Sequence, residues 1–498
     1  MKRLVSFCTS ALRRYRRLIL IASVCIILAG GFALAKYEYF APHRIIPTTQ
    51  TIATAQTIPT AQNSAVIKSE KPSEEKPGPS VDKKPLINED VLINQAKIKY
   101  DDTQSYGGFT IFTLRYSKNV YIIDMQGHIV HTWHIPFDSV WPNPTHITNR
   151  AVCGDKVLIK SATPFPNGDL LATYTCPGTG SVTGYGMAKF NKSSDKVLWT
   201  YDKNTHHNAY IDKTGNIYTL YHMPLPLSLI FHKPMLGEGL ADYIAILSPE
   251  GKELKTISIL NAFDRSPLFR QALIQYLAFL LNQPGGLQRM DILHSNSVMK
   301  LEPKIASKFP MFKAGQVLVS LRDMNAIAVI DPETESVVWF ALGPWKRQHS
   351  AQFLANGHIL LLDNQGLADE ERKQESLTKN NNKVLNNKVQ GEETSYFSRI
   401  LEYDPTTRSV TWDFSGSPEL PFATSYVGDV QRLQNGNTMI LDSLHGHIFE
   451  INNDKKVVWD CQLPAVDEAA FRKPDLSMQA RIFSATRYSA SDLPFLAP

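Results

Sequence analysis

The sequence predicts an all-β fold, a six-bladed β-propeller, behind an N-terminal transmembrane helix and a disordered linker. Three observations support this prediction. A hairpin pattern recurs six times after residue 105, five of these hairpins follow a turn glycine and a strand, and an eighteen-residue uncharged run follows a basic N-terminus. Short strands at regular spacing, with recurring glycine and tryptophan, are the sequence pattern of a propeller.

The N-terminus has the features of a signal anchor. Residues 1–17 form a basic cytoplasmic segment, and residues 18–35, LILIASVCIILAGGFALA, are long enough to cross a bilayer as a helix. Because positive charge stays on the cytoplasmic side of a span, we expect the rest of the chain in the periplasm and the protein in the cell inner membrane. Ala33–Ala35 also fits a cleavage site, so a removed signal peptide is the alternative.

Composition separates a linker from a folded domain. Residues 36–104 are rich in Thr, Pro, Lys and Glu and are predicted to form a flexible linker, whereas 43% of the whole chain is apolar. The net charge is +5, but six basic residues lie before residue 18, so no nucleic-acid partner is expected. Cys153 and Cys176 are candidates for a disulfide in an oxidising compartment, with two buried thiols as the alternative.

The repeat defines a propeller domain over residues 105–498. Each hairpin has an apolar run, a turn with Asp or Asn, and a second run that in most cases ends in Trp. The closing positions are Trp133, Trp199, Ile257, Trp339, Trp412 and Trp459. The upstream turn glycines are Gly168, Gly215, Gly315, Gly357 and Gly436. Each unit therefore supplies about four antiparallel strands.

The repeat is incomplete at its start and is interrupted twice. The first unit is the least complete, so a strand from the far end of the chain is expected to close the ring. Residues 261–290 are predicted to form a helical insertion that covers one face, and residues 367–394 a charged, solvated loop. Two stacked sandwiches are the alternative fold, but a sandwich need not repeat the same Gly-to-Trp order six times.

Three histidines occupy one position in consecutive blades. His207 lies eight residues before Gly215, and His349 lies eight residues before Gly357. His294 opens the segment HSNSV in the blade between them, in alignment with HSAQF at His349. Because the first strand of each blade lines the axial channel, all three side chains are expected to face that channel.

Arg322 follows an apolar strand in the blade of His294. A guanidinium offers a planar set of donors to sulfate or phosphate oxygens, so Arg322 beside three neutral imidazoles predicts a site for a tetrahedral oxyanion. A salt bridge to Asp323 is the structural alternative for Arg322. Zinc bound by the histidines is a second alternative, which the neighbouring cation and the lack of a carboxylate in register disfavour. No metal and no other cofactor is therefore predicted.

At these residues the sequence resembles the bacterial arylsulfate sulfotransferases, which use no activated nucleotide as sulfate donor. The resemblance covers the propeller domain and is densest at HSNSV, SLRDMNAI and GPWKRQHSAQF. It implies that His349 is the nucleophile, which takes the sulfuryl group as sulfohistidine. His294 and Arg322 match the residues that hold the sulfuryl oxygens. His207 matches the remaining channel histidine, with His206 as the competing candidate.

The resemblance also implies a reaction. A sulfuryl group moves from an aryl sulfate ester to a phenolic acceptor by ping-pong kinetics, without nucleotide or metal. His294 or His207 is expected to protonate the departing phenol. Asn296, Trp345 and Tyr426 are the predicted substrate-binding residues. The oligomeric state stays open, with a homodimer as one alternative.

Two other function classes fit parts of the sequence. A non-catalytic, membrane-tethered propeller that serves as a binding or assembly platform needs only the fold, and the long linker suits it. A metal-dependent hydrolase or lyase needs a bound ion and loses its activity to a chelator. The transferase differs from both because it depends on His349 and is indifferent to chelators.

Overall fold

The computed structural model describes the propeller and the segment that precedes it. The described residues are 89–115, 117–147, 157–177, 182–227, 238–282, 291–366, 388–389, 392–393, 397–417, 420–464 and 482–497. The basic segment, the predicted span 18–35 and the linker up to residue 88 lie outside these ranges, as do Cys153 and most of the loop 367–394. No helix within the described ranges has the length and apolar character needed to cross a bilayer.

The described chain is dominated by β-strands. In chain order the strands are β1 Lys97–Tyr100, β2 Phe109–Leu114, β3 Asn119–Ile123, β4 Ile129–His134, β5 Leu158–Pro164, β6 Leu170–Pro177, β7 Val182–Phe190, β8 Val197–Tyr201, β9 Asn204–Ile211, β10 Ile217–Pro226, β11 Glu238–Leu247, β12 Glu253–Ser258, β13 Ser295–Lys300, β14 Val317–Leu321, β15 Ala326–Asp331, β16 Ser336–Leu342, β17 His349–Phe353, β18 Ile359–Gly366, β19 Lys388–Val389, β20 Glu392–Glu393, β21 Phe397–Asp404, β22 Ser409–Phe414, β23 Asp429–Arg432, β24 Thr438–Asp442, β25 His447–Ile451, β26 Val457–Gln462 and β27 Ile482–Tyr488. The helices are α1 Glu89–Asn94, α2 Phe137–Val140, α3 Ile259–Asp264, α4 Arg270–Asn282 and α5 Pro303–Ala306, with 3₁₀ turns at Arg322–Met324 and Pro494–Leu496.

The strands form six antiparallel blades, which confirms the predicted six-bladed β-propeller. From the innermost strand outwards, the blades are β27-β2-β3-β4, β5-β6-β7-β8, β9-β10-β11-β12, β13-β14-β15-β16, β17-β18-β21-β22 and β23-β24-β25-β26-β1. Each innermost strand contacts the innermost strand of the next blade, and β23 of blade six returns to β27 of blade one. The far end of the chain thus supplies the innermost strand of the first blade, as expected from its incomplete repeat.

The folded chain begins earlier than the predicted boundary at residue 105. Helix α1 and strand β1 both fall within the predicted linker 36–104. Strand β1 pairs with β26 as a fifth, outermost strand of blade six, with Lys97 opposite Gln462 and Tyr100 opposite Trp459. The linker prediction was therefore wrong over its last sixteen residues, because a four-residue edge strand with two lysines carries too little apolar pattern to stand out.

The recurring glycine and tryptophan have separate structural reasons. The five turn glycines lie between the first and second strands of blades two to six and have φ between 85° and 95°, a region that side chains with a Cβ rarely adopt. The tryptophans lie on outer strands. Trp133 Nε1 donates to the Gly168 carbonyl at 3.2 Å, and Trp459 Nε1 donates to the Met125 carbonyl at 3.0 Å. These bonds join one blade to the next.

The hydrophobic core lies between neighbouring blades. Between blades one and two, Trp133 packs in a buried cluster with Leu170 and Phe190. Between blades four and five, Trp339 packs with Leu361 and Tyr403. Because both faces of every sheet are covered in this way, most strand residues on both faces are apolar.

The predicted helical insertion 261–290 comprises two helices, α3 and α4, and its residues 283–290 lie outside the described ranges. The Ser258 hydroxyl caps α3 by accepting a hydrogen bond from the Asn261 N–H. Helix α3 contacts β11, β12 and β16, which are outer strands of blades three and four. Of the cysteines, Cys176 is disulfide-bonded to a residue outside the described ranges, and Cys461 is a buried free thiol.

Candidate active site

Five of the six innermost strands contain a β-bulge. In blades one to five the pairing between the innermost and second strands shifts register, whereas β23 of blade six pairs without a shift. The residues left without a direct partner are Phe483, Lys160, His207, Asn208, Asn296, Ser350 and Ala351. A bulge redirects a side chain out of the regular alternation of a strand.

The backbone is strained at two of these bulge residues and at two residues that precede innermost strands. His207, His294 and Ser350 have φ of 59°, 50° and 54°, and Val427 has φ of 55°. Residues with a side chain rarely adopt positive φ, and a β-branched valine in this region is an outlier. Such strain persists only where the surrounding structure fixes it, and it concentrates at functional sites.

The three predicted histidines meet near the axis. The ring centre of His207 lies 5.4 Å from that of His294 and 6.3 Å from that of His349. All three side chains are buried. The Arg322 main-chain N–H donates to the His294 carbonyl at 3.2 Å. The Arg322 guanidinium forms the salt bridge to Asp323 that was the structural alternative, at 2.7 Å, and its charge also lowers the pKa of His349. We refer to His207, His294, His349 and Arg322 as the histidine cluster.

His349 is held by a neutral amide. Its Nδ1 lies 2.6 Å from Asn364 Oδ1, and Asn364 Nδ2 donates to the carbonyls of Thr424 and Val427, each at 2.7 Å. These two bonds fix the amide so that its oxygen faces the imidazole, and the proton of His349 therefore resides on Nδ1. Burial, together with the charge of Arg322, holds the pKa of His349 well below its ordinary value. His349 is thus neutral, with a free electron pair on Nε2.

His294 is paired with a carboxylate instead. The His294 ring Nδ1 lies 2.8 Å from Asp291 Oδ2, and the His294 main-chain N–H donates to Asp291 Oδ1 at 3.0 Å. Burial acts to raise the pKa of Asp291, but the contacts with His294, together with the charge of His222, lower it overall. A histidine whose Nδ1 faces a carboxylate is oriented for proton transfer at Nε2.

His207 is connected to a buried carboxylate through the neighbouring histidine. The Nδ1 atoms of His206 and His207 lie 2.7 Å apart, and His206 Nε2 lies 3.3 Å from Asp242 Oδ1. Burial, together with the charge of His222, lowers the pKa of His206 to about 4. His206 is therefore neutral, and because its Nε2 faces the Asp242 carboxylate, its proton lies on Nε2. His206 Nδ1 then accepts a hydrogen bond from His207 Nδ1, which leaves His207 Nε2 unprotonated towards the cluster. His206, the competing candidate from the sequence, lies between His207 and Asp242.

His206, His222 and Asp242 also offer ligand atoms that lie within 4.8 Å of one another. The His206 and His222 rings, however, stack with centres 3.7 Å apart and planes inclined by 15°. Two imidazoles on one tetrahedral zinc keep their centres roughly 5 Å apart, because each nitrogen points at the ion. The stacked rings share the Asp242 carboxylate in a hydrogen-bonded network, and their geometry does not fit a common metal ion.

Sequence reasoning missed the opposite side of the channel. Lys160 on β5 is buried, and its ammonium lies 5.0 Å from the ring centre of Phe483 on β27. Asp429 on β23 accepts a hydrogen bond from the Ser350 hydroxyl at 2.7 Å. The positive charge of Lys160 lowers the pKa of His207 and His349, so Lys160 is electrostatically part of the same site. A lysine inside the apolar run VLIKSAT is the signal that would have found it.

A known protein family matches most of the propeller. The family model of the arylsulfotransferases (ASST) matches residues 165–463, which include all four members of the histidine cluster. The chain belongs to the arylsulfotransferase family. No curated protein sequence matches it.

Solved structures similar to this arylsulfotransferase-family chain are distant. A protein of unknown function from Bacteroides caccae is 13% identical, with 76% of this chain and 98% of that chain covered and a TM-score of 0.43. A streptogramin B lyase is 11% identical, with 76% and 91% covered and a TM-score of 0.36. The virginiamycin B lyase of Staphylococcus aureus is 10% identical, with 63% and 71% covered and a TM-score of 0.33.

The predicted substrate-binding residues of this arylsulfotransferase-family chain occupy different environments. Asn296 is buried at the β13 bulge, and its Nδ2 donates to the Gln348 carbonyl at 2.7 Å. Tyr426 is half-buried beside Val427, whose carbonyl binds Asn364.

Trp345 differs from its prediction as a substrate-binding residue. Its ring is buried in the core between blades four and five, where it packs edge-on against Tyr403 with ring centres 5.1 Å apart. The loop Gly343–Trp345 precedes β17, and nothing in its sequence indicates that the ring turns into this core. The placement gives Trp345 a packing role.

Proposed function

We propose that this protein is an arylsulfate sulfotransferase that moves a sulfuryl group from an aryl sulfate ester to a phenolic acceptor through a sulfohistidine at His349. The observation that carries this proposal is the pairing of His349 Nδ1 with the Asn364 amide at 2.6 Å, beside Arg322. The pairing leaves an uncharged nucleophilic nitrogen next to a cation that attracts sulfate oxygens. Membership of the arylsulfotransferase family supports the same reaction.

In the first half-reaction His349 Nε2 attacks sulfur. The N–S bond forms, the bond from sulfur to the aryl oxygen breaks, and the electron pair leaves with that oxygen. Arg322, His294 and Asn296 hold the sulfuryl oxygens, which gather negative charge in the transition state. The family resemblance gives His294 and Arg322 this role, and the contact of His294 with Asp291 lets its Nε2 carry a proton towards such an oxygen.

In the second half-reaction a phenolic acceptor replaces the first phenol. Its oxygen attacks sulfur, the N–S bond breaks, and the electron pair returns to His349 Nε2. The acceptor must lose a proton, as the departing phenol must gain one, and His294 and His207 are the two histidines predicted for this transfer. The kinetics are ping-pong because the first phenol leaves before the second binds.

The decisive experiment uses a chromogenic aryl sulfate with and without an added phenol. The expected result is phenol-dependent release, a mass increase of one sulfuryl group on the peptide that contains His349, and loss of all turnover in His349→Ala. His358→Ala is the matched control, because His358 lies in the same blade and pairs with Glu402 at 2.7 Å. Release into water alone means a sulfatase, and no release from the wild type supports the non-catalytic platform.

We also propose that residues 18–35 hold the enzyme in the inner membrane, with the propeller in the periplasm. The apolar run behind a basic segment supports this placement, and so does the disulfide of Cys176, because disulfides persist in oxidising compartments. Membrane fractionation tests it. The full chain is expected in the membrane fraction, protected from cytoplasmic protease, and a chain that lacks residues 1–35 is expected in the soluble fraction.

A further inference from the structure

Lys160 is an isolated cation inside the propeller. The side chain emerges from the bulge of β5 and is 7% exposed. Within the described part of the chain its ammonium forms no ion pair, and its close contact is the Phe483 ring at 5.0 Å. Lysine is rarely buried without a partner, because removal of the ammonium from water is costly unless an anion replaces the water.

The groups around Lys160 come from four other blades. His207 on β9 and His349 on β17 have their pKa lowered by its charge, and Asp429 on β23 interacts with it electrostatically. Phe483 on β27 supplies an aromatic face. The ammonium therefore faces the interior in which the histidine cluster lies, beside a ring against which an aryl group can stack.

The ring order places Lys160 across the axis from the nucleophile. The innermost strands close in the order β27, β5, β9, β13, β17 and β23, so blade two stands opposite blade five. Displacement at sulfur proceeds in line, with the attacking nitrogen and the departing oxygen on opposite sides. When His349 attacks from blade five, the aryl oxygen therefore leaves towards blade two, where Lys160 is the cation.

We propose that Lys160 is a further catalytic residue, which binds the aryl oxygen and exchanges its proton with it in both half-reactions. The proposal rests on the proposed sulfotransferase function and assigns to Lys160 the proton transfer that the sequence assigned to His294 or His207. His294 lies in blade four, next to blade five of His349, and His207 lies in blade three. The departing oxygen faces blade two, opposite His349.

The protons and electrons balance with Lys160 in this role. As the bond from sulfur to the aryl oxygen breaks, the oxygen takes the electron pair and one proton from the Lys160 ammonium, which becomes a neutral amine. When the acceptor phenol enters, the neutral amine removes its proton as the phenol oxygen attacks sulfur. The ammonium is restored when the N–S bond has broken, so no other proton donor is needed.

The local electrostatics suit both directions of transfer. Burial lowers the pKa of Lys160 to about 8, against a smaller opposing effect of the Asp429 carboxylate. An ammonium near neutral pH is then present to protonate a leaving phenolate, whose conjugate acid has a pKa of about 10, as in tyrosine. The same group loses its proton readily enough to serve as the base for the acceptor.

The test compares two donors in four variants. One donor is phenyl sulfate, whose phenolate leaves poorly without a proton, and the other carries a nitro group that makes the phenolate a good leaving group. Lys160→Met is expected to lose about 10²- to 10⁴-fold in kcat/KM with phenyl sulfate and less than about tenfold with the nitro ester. Lys160→Arg is expected to behave like Lys160→Met, because a guanidinium keeps its charge but does not release a proton.

Lys189→Met is the matched control, because Lys189 lies in the same blade with its ammonium 4.0 Å from the Phe165 ring centre but on the third strand. Equal losses with both donors in Lys160→Met, or wild-type rates in Lys160→Arg, overturn the proposal. A loss selective for phenyl sulfate in His294→Gln but not in Lys160→Met also overturns it, in favour of the histidine.

The same assay distinguishes failure of the Lys160 role from failure of the proposed function. Sulfohistidine formation from the nitro ester by the wild type reports the proposed function, and the ratio of the two donors in the variants reports Lys160. A wild type that never forms sulfohistidine overturns both. Formation of sulfohistidine from the nitro ester by Lys160→Met shows that this variant is folded.

Discussion

Asn364 Oδ1 lies 2.6 Å from His349 Nδ1, and both residues are buried. The amide orients the imidazole and leaves it uncharged, whereas the neighbouring His294 faces the Asp291 carboxylate. A carboxylate stabilises an imidazolium, and an amide oxygen does so far less. The amide therefore suits His349 to act as a neutral nucleophile.

Asn364→Asp tests this role of the amide. A carboxylate at 2.6 Å favours the protonated imidazole, so the pKa of His349 rises and the nucleophilic form is lost as the pH falls. We expect sulfohistidine formation at pH 7 to slow by about tenfold or more, with the rate profile moved to higher pH. The measurement is the rate of phenol release in the first turnover across pH.

The pH profile also distinguishes this effect from damage to the fold, because Asn364→Asp removes the donors to Thr424 and Val427 as well. A damaged fold lowers the amount of active enzyme at every pH and leaves the profile in place. Asn356→Asp in the β17–β18 turn is the control and is expected to keep the wild-type profile. An unchanged profile in Asn364→Asp contradicts the assignment of a neutral nucleophile.

The buried histidines predict a loss of stability in mild acid. Burial, with the charge of His222, lowers the folded pKa of His206 to about 4, below its unfolded value of about 6.5. Between these values the unfolded chain binds more protons, so the free energy of unfolding falls as the pH drops through this window. His206 alone accounts for roughly 3 kcal/mol at most, since the shift spans about 2.5 pH units.

Urea unfolding at pH 7.5, 6 and 5 measures this loss. His206→Gln is expected to flatten the dependence, although it lowers stability at pH 7.5 by removing a buried contact. His134→Gln is the control for the loss of a histidine as such, because His134 is an exposed residue of β4 that faces the Asn119 amide and not a carboxylate. A stability that is constant from pH 7.5 to 5 contradicts the buried, neutral state of these histidines.

The sequence predicts the blades well because the signals of a propeller are local. A turn glycine and a closing tryptophan each act within one unit or between neighbouring units, as the bond from Trp133 to Gly168 shows. The common position of His207 and His349 follows from the same local spacing, eight residues before a turn glycine. Strand β1 escaped prediction because its pairing with β26 joins residues more than 350 positions apart.

The supporting residues of the site escaped prediction for a different reason. Asp291, Asn364 and Asp242 each lie in the blade of the histidine that they support or in the loop before it, but the residue pattern does not show which polar side chains face an imidazole. Lys160 faces the channel because of a bulge, which the alternation of a strand does not reveal. Trp345 shows the converse, since proximity in sequence to His349 did not place its ring in the site.

The inter-blade tryptophan bonds predict that replacement of Trp by Phe lowers the free energy of unfolding more in blade six than in blade five. Trp459→Phe removes a buried indole N–H and leaves the Met125 carbonyl without its donor, so we expect a loss of about 1–3 kcal/mol in the free energy of unfolding. Trp412→Phe, at the equivalent position of blade five, is the control and should cost clearly less, because its ring is only half-buried. Urea unfolding of both variants measures the difference. Equal losses contradict a specific role for the Met125 bond.

Closure of the ring predicts that the two ends of the described chain differ in importance. Strand β27 pairs with β2 from Phe109 opposite Tyr488 to Leu114 opposite Ile482, and it carries Phe483 into the site. Removal of residues 482–498 therefore exposes the inner edge of blade one and opens the contact with β5 and β23. Removal of residues 1–104 takes away helix α1, with its buried Ile93, and the outermost strand β1 of blade six, but no innermost strand. We expect the first truncation to abolish cooperative unfolding and sulfuryl transfer, and the second to retain both at reduced stability.

Circular dichroism during heating and the chromogenic assay measure these outcomes. A chain without β27 that still unfolds cooperatively would show that blade one closes with its three remaining strands, which contradicts the role of β27 in holding the ring together.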